Sequence, residues 1–313
     1  MNRLRRTIRH VADELSTLGL EEILATLLMV LVLSLPMILP SLRSNPTMNH
    51  TRSAASQQMN YVSTMSKADM SEALRGAAGT MAQEVAKAGV VPATSATLVR
   101  SVVGSPLSQS VTLDSTANMF AGETLQVDYT SAAYETVTIA AVSSGASLTA
   151  VFTKNHSGGV VVWAGGVFPQ GILSSSTGNV LQLFGDINSD GTLVYEEYSC
   201  DTTAGTLSRS ITPIGATSKN PAVILVQGVT PNPDGTACFT YSSATLSGYT
   251  FVTNISLTVT TRLSEIDPQT GANATITGSF QNLSPRSITA ALSLAQAGMT
   301  APLQPTPPGL PML

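Results

Sequence analysis

An uncharged run from Ile23 to Leu42, ILATLLMVLVLSLPMILPSL, constrains this chain more than any other stretch of it. Wound into a helix at ~1.5 Å per residue, it would reach ~30 Å, the thickness of a bilayer's hydrocarbon core. Arg3, Arg5, Arg6 and Arg9 precede the run, and fewer basic residues come after it. That imbalance predicts an N-terminus in the cytoplasm and a C-terminal body on the far side. The run is longer than the apolar core of a signal peptide and ends without a small-x-small cleavage site. Pro36 and Pro40 would bend the helix, which lipid tolerates where neighbouring groups satisfy the freed carbonyls.

The remainder of the chain is different in kind. Of 313 residues only 11% are charged, and Ser, Thr, Ala and Gly take the place of the missing charge. This suits an exported, β-rich body better than a cytosolic enzyme. A net charge of -4 leaves no basic footprint for nucleic acid. Cys200 and Cys238 fall in the portion placed outside the cytoplasm, where disulfides persist, so a bridge between them is expected; two buried free thiols are the alternative. The three histidines, His10, His50 and His156, pair with no nucleophile motif, and no GxSxG, HExxH, P-loop or dinucleotide fingerprint occurs. The expectation is a structural or interaction protein, not an enzyme.

Taken in order, residues 1–19 form a basic leader that ends in Gly19. Beyond Ser44-Asn45-Pro46, a helical pattern runs from about Ser53 to Ala88, with Val62, Met65, Met70, Ala73, Ala77, Met81 and Val85 on one weakly apolar face. Gly89 and then Pro92 stop it. Period-two patterns replace it: Glu123 to Tyr129, Glu135 to Val142 and Ser147 to Thr153 predict a small β module ending near Trp163, which reads as a core or module-edge residue. His156, in the turn Lys154-Asn155-His156-Ser157-Gly158-Gly159, reads as solvated. A second strand series begins at Val180 and includes AVILVQGV, ACFTYS and NISLTVTTR, with Ile255, Leu257 and Val259 alternating as on a half-buried sheet. The proline-rich residues 299–313 predict a flexible tail.

One stretch has metal-ligand spacing. Asp186, Asn188, Asp190, Gly191 and Glu197 fit D-x-[DN]-x-[DN]-G-x5-E. Alternate oxygens there could face a calcium ion, yet the flanks, NVLQLFG and TLVYEEY, predict strands and not the helices of an EF-hand. Two readings stand: a calcium site with Asp186, Asn188 and Asp190 as ligands, or an Asp/Asn/Gly turn between strands. The turn is preferred, so no cofactor is required.

Four segments resemble type IV pilin-like proteins, and among these the PilW-type minor pilins. LGLEEILATLLMVLVL (Leu18 to Leu33) resembles a prepilin cleavage and methylation segment, and EALRGAAGTMAQEVAKAGV (Glu72 to Val90) the end of the long pilin helix. Leu183 to Ser210 is similar to the family's aspartate-glycine turn and its leucine-x-arginine strand, and FQNLSPRSITAAL (Phe280 to Leu292) to a C-terminal asparagine-proline-arginine segment. The resemblance implies cleavage by a prepilin peptidase after Gly19 and methylation of Leu20. The family usually has Phe first and a glutamate fifth in the mature chain; here Leu20 is first, and Glu21 and Glu22 are second and third. These two acids, Glu22 the better placed, are the candidates for pairing with a neighbouring subunit's amine during assembly; the alternative is that both sit at the membrane interface and cap the helix N-terminus.

The expected fold is α+β: a transmembrane, pilin-like long helix, then an antiparallel β-rich body with an inserted small β module. The expected organisation is a leader over 1–19, the membrane and amphipathic helix over 20–91, the inserted module over 92–172, the body over 173–298 and the tail over 299–313. The expected function is that of a minor pilin or pseudopilin of a type IV pilus or type II secretion-like filament. It would be held in the bacterial inner membrane with its body outside the cytoplasm, and would contact other pilin subunits through its helix. The alternative is a permanently anchored extracytoplasmic binding protein or adhesin whose β module holds a ligand.

Overall fold

The computed structural model describes residues 49–90, 94–165, 171–266, 271–299 and 303–310. The chain divides into two units, Met1–Ala55 and Ser56–Leu313; the sheets and their cores belong to the second.

The described residues are mostly antiparallel β-sheet, which corrects the α+β expectation. They hold only two helices, α1 (Asn49–Lys87) and α2 (Ile288–Gln296), and no helix among them is long and apolar enough to cross a membrane. The physical reason lies in α1 itself, whose sequence is rich in Ser, Gln, Ala and charged residues. Its buried stripe is Leu74, Ala77, Ala78, Met81 and Val85, continued by Ala88 just past its end, and together they lie along one face of the helix. The stripe shares Ala77, Met81 and Val85 with the predicted face but adds Leu74 and Ala78, whereas Ala73 and Met65 are exposed. Ile23 to Leu42, Gly19, Leu20, Glu21 and Glu22 lie outside the described residues.

After α1 come β1 (Thr94–Thr97), β2 (Gln109–Thr112), β3 (Thr124–Val127), β4 (Glu135–Ser143), β5 (Ser147–Ala150) and β6 (Val161–Ala164). They form one sheet in the order β1-β6-β3-β4-β5-β2. Its two edges meet: Leu98 bridges Leu113, and the Asp114 carboxylate accepts from the Thr97 amide and hydroxyl, both at 2.8 Å. Joining the edges removes the unpaired strands that an open sheet exposes. The module has its own core, built on Leu125, Val127, Ile139, Leu148, Phe152 and Val162.

The remaining strands form two further sheets. β7 (Val180–Gly185), β8 (Val194–Asp201), β9 (Thr206–Pro213) and β10 (Val223–Gln227) pair in the order β10-β9-β8-β7. The long β13 (Tyr249–Ile266) pairs with β11 (Val229–Thr230), β12 (Phe239–Leu246) and β14 (Asn273–Leu283). The α1 stripe packs with both: Leu181, Leu183, Val194, Tyr198 and Leu207 from one, Phe239, Ile255, Leu257 and Val259 from the other. Cys200 and Cys238 form a disulfide that ties β8 to the residue before β12. Closing a loop of that length contributes ~3–4 kcal/mol in the chain-entropy account.

The proline-rich tail is packed where it is described, which corrects the flexible reading. Leu303 is buried with Phe251, Ala291 and Ala295. Gln304 donates to the carbonyls of Thr124 and Gly165 and accepts from the Thr124 amide, each at 2.9 Å. Leu310 packs against Phe120, Leu173, Phe184, Leu193 and Tyr195. Residues 303–310 thus strap the base of the β module to the body.

Candidate functional site

The Asp186 loop links β7 to β8. Its carboxylates are engaged with the loop's own backbone: Asp186 accepts from the amides of Asp190 and Gly191 at 3.1 and 3.2 Å, and Asp190 from that of Thr192 at 2.8 Å. Gly191 has φ +80°, which an L side chain adopts only with strain. Asn118 of the module reaches across, donating to the Gly191 carbonyl and accepting from the Leu193 amide. Loop and module base are therefore one hydrogen-bonded unit. Among the described residues no group of three or more His, Cys, Asp or Glu side chains is placed to hold a metal ion. Glu197 is carried off along β8, where it accepts from Tyr195 at 2.6 Å and Lys219 at 2.8 Å. Burial acts to raise its carboxyl, but hydrogen bonds from Lys219, Tyr195 and Gln182 hold it below the usual range.

Alternation along β8 turns Val194, Glu196, Tyr198 and Cys200 toward α1. There a charged cluster lies within the apolar seat. Glu84 of α1 accepts from Arg209 of β9 through one oxygen and from the Tyr198 hydroxyl through the other. Arg209 Nε donates to Glu196 Oε1 at 2.5 Å. Glu196 is wholly buried, and its Oε2 has no hydrogen-bond partner. One guanidinium thus serves two buried carboxylates. The sequence carried a signal for this group: Glu84 falls in line with Ala77, Met81 and Ala88, and Glu196 falls on the apolar side of its strand.

The far end of the β module gathers three loops, 99–108, 128–134 and 151–160. His156 is buried beneath them, which corrects its reading as a solvated turn residue. Its Nε2 donates to Glu135 Oε1 at 2.6 Å, its backbone pairs with Val102, and its ring meets Phe152 edge-on at 6.1 Å. Glu135 also accepts from the Thr153 amide and hydroxyl and from the Lys154 amide. Burial tends to raise its carboxyl, and the bonds from Thr153, His156 and Lys154 bring it below the ordinary value. Lys154 Nζ caps the carbonyls of Ala132 and Tyr134. Over this network Val103 and Leu107 are each 74% exposed, Tyr129 56% and Tyr134 42%. A buried polar network holding loops that display apolar and aromatic side chains is the arrangement of a preorganised contact surface. At the module's other end, an open cleft of about 320 Å³ lies between Asn118 and Phe120, Leu193 and Ile214, and Pro307, Pro308 and Leu310.

Comparison with family models, with curated proteins and with solved structures finds no match to this chain.

Proposed function

We propose that this chain is a structural subunit, a minor pilin or pseudopilin, of a type IV pilus or type II secretion-like filament. It waits in the bacterial inner membrane, anchored through Ile23 to Leu42, with its body outside the cytoplasm. The observation that carries the reading is α1. This single 39-residue helix comes soon after the uncharged run, and its C-terminal turns are seated on antiparallel sheets by Leu74, Ala77, Ala78, Met81, Val85 and Ala88. A helix fixed to a folded body at one end suits subunits that assemble helix against helix, where close packing of small residues drives association. The resemblance to PilW-type minor pilins points the same way, and it supplies the partners: other pilin subunits and a prepilin peptidase acting after Gly19. Catalysis plays no part in this reading.

If a prepilin peptidase cuts this leader, Gly19→Val blocks the cut, because a branched side chain crowds the scissile bond. The variant then runs as the longer precursor on a gel. Normal processing of the variant would remove the leader as support for a pilin.

A second reading, a permanently anchored binding protein or adhesin, is favoured by the module's exposed Val103, Leu107, Tyr129 and Tyr134 over the His156–Glu135 network. A leader that stays attached in the wild-type chain favours this reading over the first.

A further inference from the structure

We infer that Glu196 holds a buried proton beside Glu84 in the folded chain, so that seating α1 on the sheet is coupled to proton uptake. Geometry carries this, independently of the filament reading. Three charged side chains meet between α1, β8 and β9, and one of them, Arg209, is the cation for two carboxylates. The groups facing Glu196 are Glu84 from α1, Tyr198 from its own strand and Arg209 from β9. Both oxygens of Glu84 are bonded, whereas Glu196 keeps one oxygen bonded to Arg209 and the other buried without a partner.

A second full negative charge at that oxygen would be desolvated and uncompensated, a far costlier state than a neutral carboxylic acid. Burial first, and then the Glu84 carboxylate, push Glu196 up to about 9 against the pull of Arg209. When α1 lifts away, Glu84 leaves with it. Arg209 then belongs to Glu196 alone, water reaches the strand, and the proton is released.

The raised value sets the sign of the pH dependence. An acid whose folded pKa lies above its unfolded one contributes stability that is complete below the unfolded value, 4.5, and is lost as pH rises through the folded value. Between those limits the folded chain binds one proton more than the unfolded one, and its folding constant falls about tenfold per pH unit. Glu123, also buried and pushed up by burial to about 8, adds a second slope of the same sign.

The test is denaturant unfolding of the full chain in detergent, from about pH 5 to about pH 8, for the wild type, Glu123→Gln, Glu196→Gln and Glu84→Gln. Glu196→Gln should remove close to tenfold per pH unit from the wild-type slope, and Glu84→Gln should remove part of it, with Glu123→Gln as the independent background. A slope unchanged in both Glu84→Gln and Glu196→Gln overturns the inference. Should those two variants fail to fold, infrared spectra of Glu123→Gln at neutral pH decide: a protonated-carboxyl band supports the buried proton on Glu196, and its absence overturns it.

Discussion

A Cβ placed on Gly171 would lie 2.2 Å from the amide nitrogen of Gly89 and 2.6 Å from the carbonyl carbon of Ala88. These are backbone atoms at the end of α1, and they are not free to move. The Gly89 amide donates to the Phe184 carbonyl, and the Phe184 amide to the Gly171 carbonyl, each at 2.8 Å. Gly171→Ala must therefore push the helix end off β7. The expected loss is ~1–3 kcal/mol or more, as for overpacked cores. Gly215→Ala, with open space around its Cβ, should change stability by less than ~0.5 kcal/mol. Denaturant midpoints of the two variants check this, and equal effects would contradict the close approach. Gly89 was legible as a helix stop because its signal is local. Gly171 was not, since its constraint comes from a backbone distant in sequence. The same holds for His156, whose buried partner Glu135 sits at the start of β4, 21 residues earlier.

At the level of elements, α1 gives the clearest contrast. Met81 is fully buried and Met65 is 51% exposed, although the sequence pattern placed both on one face. Met81→Ala should cost ~2–5 kcal/mol, the range for large-to-small changes in a core. Met65→Ala should stay within ~0.5 kcal/mol. Losses of similar size in thermal unfolding would show that the seat is misplaced. The phase of the helix was weakly legible because half of its stripe is alanine, a residue that also occurs on the exposed face at Ala73. Strands with Val, Ile, Leu or Phe alternating were legible: β4, β7, β8 and the centre of β13 fall where the pattern put them. β14 was not, because Ile276 is the one large apolar residue in Asn273-Ala-Thr-Ile-Thr-Gly-Ser279 and leaves no alternation to read; pairing along β13 makes it a strand.

For the whole molecule, the described residues replace the expected α+β layout with an antiparallel β structure of three sheets and two helices. Period-two patterns announced the strands, but edge closure through Leu98 and Leu113 and the strap over residues 303–310 depend on contacts far apart in sequence. The Asp186 loop shows the limit of a motif: the spacing matches a calcium loop, while its carboxylates are bonded to the loop's own amides. The proposed function joins this body to the uncharged run that precedes it, and it makes one demand above all on the mature chain. Mass spectrometry of the N-terminal peptide, taken from protein assembled at the cell surface, meets that demand directly. The filament account predicts a chain that begins at Leu20 with a methylated amine. An intact Met1 in assembled material would contradict it.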